Sequence, residues 1–196
     1  MRWTRPLPIP VAALLAACGG TTTDPPPPEP DIIAFETFAQ GQEIARDLAR
    51  QNADLGPMDP LDIPFAGSAA DQGTAEISST AGLNAIGVLE MEIVFDSGLE
   101  TVTGFADDFV DVNNSEVDGT LTIGDGGFDR SGSPGGDLTA TVSGTFEGGI
   151  FVIANSDIAG DLHGEAEGAT LDGLVSGFVS NQATTFNVTL NAEVTE

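Results

Sequence analysis

Lysine and tyrosine are absent from this 196-residue chain, and cysteine, histidine and tryptophan occur once each. Five arginines (Arg2, Arg5, Arg46, Arg50 and Arg130) are the whole basic complement against 31 acids, for a net charge of -26. Nucleic acid and anionic membrane surfaces call for a positive footprint, so no nucleic-acid partner is expected. The acidity favours a heavily hydrated face suited to a salty habitat, and it would draw cations or a basic protein. A lone cysteine excludes an internal disulfide. A lone histidine, His163, excludes clustered imidazole ligands; it lies on a polar face and reads as a solvated side chain. Haem ligation through it would also need an apolar pocket. No G-x-S-x-G elbow accompanies His163, and no P-loop is present. With the usual acid-base and nucleophile constellations missing, neither an enzymatic activity nor a cofactor is expected.

The beginning of the chain is specific. "MRWTRPLPIPVAALLAACGG" has a short basic head and a mostly apolar run from Leu7 to Ala17, ending at Cys18. That is the pattern of a secretion signal, residues 1–17, too short to span a membrane as a mature helix. The tetrad Leu15-Ala16-Ala17-Cys18 resembles the bacterial lipobox. The resemblance implies diacylation of the Cys18 thiol, cleavage before it, and acylation of the new amino terminus. Several acyl chains anchor far more firmly than one, so the expected membrane partner is reached through lipidated Cys18. The expected location is the outer membrane, with the domain facing the periplasm or the cell surface. Residues 18–30 continue as a tether whose four consecutive prolines favour an extended helix, able to hold a domain roughly 35 Å from the bilayer.

Residues 31–64 read as a helix and a linker. Asp31 to Leu55 forms the helix, with Ile44, Leu48 and Leu55 on one face, Ala45 and Phe38 at its border, and a stop at Gly56-Pro57. Gly41 and Asn52 interrupt that stripe. The helix is expected to pack on the outside or the end of the following domain.

From Phe65 the hydrophobic period becomes two. Leu89, Met91, Ile93 and Phe95 alternate with Glu90, Glu92 and Val94. Leu138, Ala140, Val142 and Phe146 alternate with Thr139, Thr141, Ser143 and Thr145. Phe186, Val188, Leu190, Ala192 and Val194 alternate with Asn187, Thr189, Asn191 and Glu193. Eight half-buried strands are expected over 73–79, 86–96, 99–112, 116–123, 137–147, 157–167, 171–180 and 185–195. Short Gly/Asn/Asp connections imply antiparallel neighbours. The fold class is therefore all-β, an eight-stranded antiparallel soluble barrel over 65–196, preceded by a short helix and a Pro-rich tether. Gly160, Gly164, Gly173 and Gly177 share the apolar phase, which puts them inside, where low-volume positions let strands bend and large side chains reach across. A transmembrane barrel would need an apolar outer band with aromatic girdles, and the charged face of 157–167 does not supply one.

Two acidic segments offer hard oxygen ligands suited to calcium: Asp107, Asp108, Asp111, Asn113 and Asp118 in the first, Asp125 and Asp129 in the second. Neither has EF-hand spacing, and a solvated acidic surface accounts for both.

"IPFAGSAADQGTAEI", "GVLEMEIVFDSGLETVTGFADDF", "VDGTLTIGDGG", "DLTATVSGTFEG" and "DLHGEAEGATLDGLVSGFVS" follow in order. Together they resemble the barrel domain of transferrin-binding protein B-like lipoproteins, from about Ile63 to Glu196. The resemblance implies an eight-stranded barrel on an outer-membrane face with a binding role. It carries over no ligand and no functional residue, and with room for one barrel and short loops, transferrin itself is not implied. The expected function is ligand or protein binding, the partner being a protein or a small solute. The alternatives are a structural envelope lipoprotein without a ligand, and a haem or calcium binder.

Overall fold

The computed structural model describes residues 33–131 and 134–194; the signal segment, Cys18 and the tether lie outside them. An α-helix, α1 (Phe38–Leu55), precedes nine strands: β1 (Ser68–Ser79), β2 (Asn84–Val94), β3 (Thr101–Asp111), β4 (Glu116–Val117), β5 (Gly119–Gly127), β6 (Leu138–Phe146), β7 (Phe151–His163), β8 (Gly168–Val179) and β9 (Gln182–Val194). Apart from the short β4, each strand pairs antiparallel with its sequence neighbours. β9 returns to β1, with Ala75 opposite Leu190, and closes an eight-stranded barrel. β4 is the extra strand, paired only with the end of β3. Closure removes every long sheet edge, so the backbone groups of the wall are satisfied without a partner chain.

Alternation fills the inside. Leu89, Val102, Leu121, Val142, Leu171 and Leu190 are fully buried, and with Phe109, Phe146 and Phe186 they form one core. Three glycines make room for the three rings. A Cβ on Gly87 would lie 2.7 Å from the Phe109 ring, on Gly144 2.9 Å from Phe146, and on Gly177 2.6 Å from Phe186. These positions are the low-volume slots expected of the interior. Gly173 is another, packed on Ile158.

Gly164 is not. The strand expected over 157–167 is β7, and it runs Phe151–His163. Gly164 (φ 63) and Ala166 (φ 67) are left-handed and form the turn into β8, closed by the Glu167 amide donating to the His163 carbonyl at 3.0 Å. The early part of β7 escaped the periodicity because its ladder with β8 breaks between Ile153 and Ala159. An irregularity of this kind shifts the alternation phase. The β8–β9 hairpin turns on Ser180 (φ 48) and Asn181 (φ 65), the two positive φ angles of a type I′ turn.

The helix begins at Phe38 rather than Asp31, because Thr37 and Gln40 form a reciprocal capping box. Its buried face also differs from the expected stripe: Gly41, Ala45, Leu48 and Asn52 face the barrel, while Leu55 is exposed. The two residues that interrupt the apolar stripe are contact positions. Gly41 has the Ile86 and Phe35 side chains where a Cβ would stand. The helix lies on the outer wall of β1, β2, β8 and β9, over the outward pair Thr74 and Asn191.

The linker then folds back over one end. Met58 and Ile63 are buried in the barrel core, so the core extends into the linker expected over 31–64. Met58 donates to the Leu162 carbonyl at 2.9 Å, and Gly135 donates to the Met58 carbonyl at 2.6 Å. Arg130 locks this cap. Its guanidinium donates to the carbonyls of Ile63 (2.9 Å) and Phe95 (2.7 Å), and it lies 4.7 Å and 4.9 Å from the ring centroids of Phe65 and Phe128.

Candidate functional site

Leu, Ile, Val and Phe side chains occupy the barrel axis, so ligand chemistry is to be sought on the outside. Among the described residues one carboxylate is buried in the protein. Asp71 shares the inward phase of β1 with Gly73, Ala75 and Ile77 and sits opposite the buried Met91. It is 3% exposed, Oδ2 has no hydrogen-bond partner, and burial pushes its pKa up to about 7. Among the described residues no acid, base or nucleophile is hydrogen-bonded to it.

His163 is half-buried rather than solvated, at the end of β7 beside the C-terminal part of α1. Its Nε2 is 2.8 Å from Thr170 Oγ1, and Nδ1 is buried without a hydrogen bond. Burial lowers the imidazole pKa, offset in part by the Gly56 carbonyl and by the charge of Asp161. Asn52 reaches down from the helix and donates to the carbonyls of Ala169 and Ala192, each at 3.3 Å. A hollow of about 210 Å³ remains, lined by Asn52, Asp161, His163, Thr170, Asp172 and Asn191 among others. At that volume it falls below the range of about 300–1,000 Å³ usual for small-ligand sites. The His–Thr spacing is that of a base and a nucleophile, but Nδ1 has no carboxylate to orient the ring. The arrangement bolts the helix to the wall.

The acidic candidates are spread over both ends of the barrel. Asp107 and Asp108 lie on β3; burial and then its neighbour's charge raise the Asp107 carboxyl. Asp111 closes the β3–β4 turn at the end opposite the cap. It accepts from the Asn113 and Ser115 amides at 2.8 Å each, and hydrogen bonding holds its pKa down. Asp118 donates its amide to Glu147 at 3.3 Å. Asp125 lies where the β5–β6 register slips, and Asp129, beside the cap, accepts from the Ser131 amide at 2.8 Å. Among the described residues no group of three or more His, Cys, Asp or Glu is placed to hold a metal ion.

A different surface stands out on β5 and β6. Their outward residues are almost all hydroxylic: Thr120 pairs with Thr145, Thr122 with Ser143, and Gly124 with Thr141. Beside them is a shallow hollow of about 550 Å³, whose lining includes Asp118, Thr120, Thr122, Ser143 and Thr145 over a floor containing Gly119 and Gly144. That volume is in the usual range for small-ligand sites, about 300–1,000 Å³. The signal for it was visible in the Thr139, Thr141, Ser143, Thr145 alternation, though an outward phase alone does not say which outward residues share a hollow. Asp71, Arg130 and Asn52 left no comparable trace.

No family model, curated protein or solved structure matches this chain. The resemblance to transferrin-binding protein B-like barrels rests on the glycine-aliphatic segments alone.

Proposed function

We propose that this protein is an outer-membrane lipoprotein, held by an acylated Cys18, whose barrel is a rigid module that binds a protein or small solute on its outer surface. The location rests on the basic head, apolar run and Leu-Ala-Ala-Cys tetrad, followed by a proline-rich spacer. The binding mode rests on one observation: the barrel axis is filled with buried aliphatic and aromatic side chains, while open hollows lie along the wall. A filled barrel resists deformation and presents fixed surface groups, which lowers the ordering cost of binding. The reading is non-catalytic and needs no cofactor.

Growth of a diderm host with alkynyl palmitate tests the anchor. The full chain should take up label and Cys18→Ser should not; label retained by the variant would overturn the lipid assignment. Protease shaving of intact cells then separates a cell-surface from a periplasmic orientation. Native-envelope pull-down with the full chain should recover a stoichiometric partner. Recovery of no partner would favour the purely structural envelope role.

A further inference from the structure

The β5–β6 hollow differs in chemistry from the rest of the surface, and on the reading of an outward-binding module we infer that it takes an uncharged polyhydroxylated ligand, a neutral oligosaccharide. Thr141 Oγ1 is committed to the Gly124 carbonyl at 2.8 Å and Thr139 Oγ1 to the Gly127 carbonyl at 3.2 Å. The hydroxyls of Thr120, Thr122, Ser143 and Thr145 bond to nothing among the described residues. Each such hydroxyl is both donor and acceptor, as the hydroxyls of a sugar are. Cross-strand pairing sets them side by side about 5 Å apart, so one ring meets several at once.

Three further residues complete the surface. Phe105 stands outward on β3 directly across from Thr122, 39% exposed, and offers an apolar face to the C–H side of a pyranose. Gly124 continues the Thr120, Thr122 row and has open space where a Cβ would be, leaving a bare step in the wall. Asp118 is the one charged residue in the hollow's lining, an acceptor for a vicinal diol.

Charge selects among ligands. A molecule with net charge -26 repels phosphorylated and uronate-rich polymers. A lipid would find too little apolar area, and a cation would find one carboxylate. A neutral glycan loses nothing to the field and matches the hydroxyl array.

The test uses the full chain in mild detergent on an array of neutral oligosaccharides of four to eight hexoses, with oligogalacturonates as the charged control. Binding to at least one neutral class is expected, and calorimetry should show it weakened at least tenfold in Thr122→Val/Ser143→Ala and in Phe105→Ala. Circular dichroism should report an unchanged fold. A control change on the far side, Arg50→Gln on the helix, should leave binding intact. Absence of neutral-glycan binding at 10 mM sugar, preference for the galacturonates, or binding indifferent to Thr122→Val/Ser143→Ala would each overturn the inference. A protein partner that survives those substitutions would sink the glycan and leave the binding-module reading standing.

Discussion

Asp71 illustrates how one side chain departs from its strand. Ala69, Gly73, Ala75 and Ile77 share its inward face of β1, and a carboxyl among them loses hydration while its Oδ2 gains no partner. Its pKa of about 7 against an ordinary 3.8 means that the folded state holds the proton more tightly than the open chain. The native state is therefore favoured fully below about pH 4, and this contribution is lost as pH rises to about 7. The loss is on the order of 4 kcal/mol at most. Asp71→Asn, an isostere of the protonated acid, should remove this dependence. Denaturant unfolding of both proteins from pH 4 to pH 8 checks it, and parallel curves would rule out a raised Asp71. Gly177 makes the complementary point by volume, since any side chain there enters the space of the Phe186 ring. Such small interior positions follow from the size of the barrel, in which each large ring needs a neighbour with no side chain.

At the scale of elements, the helix and cap are held by different means. The helix has few apolar contacts, Ala45 and Leu48, and supplements them with the Asn52 side chain on two strand carbonyls. The cap depends on Arg130. Its guanidinium satisfies the Ile63 and Phe95 carbonyls and rests on two aromatic rings, so its loss leaves part-buried acceptors unpaired. We expect Arg130→Ala to destabilise the protein by about 2–4 kcal/mol. Arg130→Lys should recover less than half, because an ammonium lacks the planar fork that reaches two carbonyls and stacks on rings. Hydrogen exchange should quicken first at Met58, Leu162 and Gly135. If exchange there stays as slow as in β8 and β9, the cap does not hinge on this side chain.

The whole molecule combines 31 acids with five arginines, two of which precede the described residues. Like charges on a closed wall repel in the compact state and relax when the chain unfolds. Salt shortens the range of that repulsion from about 10 Å at 0.1 M to about 3 Å at 1 M. The thermal midpoint should rise steadily from 0.02 M to 1 M sodium chloride, which differential scanning fluorimetry measures. A flat or falling midpoint would mean that the carboxylates are far enough apart to ignore one another.

Much of this architecture is local in origin. Alternation over 86–96, 137–147 and 185–195 fixes which residues face inward, and short polar connections make neighbouring strands antiparallel, so eight strands and a closed wall follow from the chain itself. Periodicity failed where the backbone leaves the regular strand: in early β7, where the ladder slips, and at Gly164–Glu167, where alternation continues through a turn. The face of α1 was also not legible. A helix on a polar outer wall packs by close approach and hydrogen bonding, so Gly41 and Asn52 serve where an apolar stripe would be sought. The amino acid order by itself determined the barrel and the inward set, because strand pleating has a period of two whatever the surroundings. Only tertiary structure decided that Met58 and Ile63 cap the core, that Arg130 clamps them, and that four free hydroxyls share one hollow. Those contacts join residues tens of positions apart, and no local period records them.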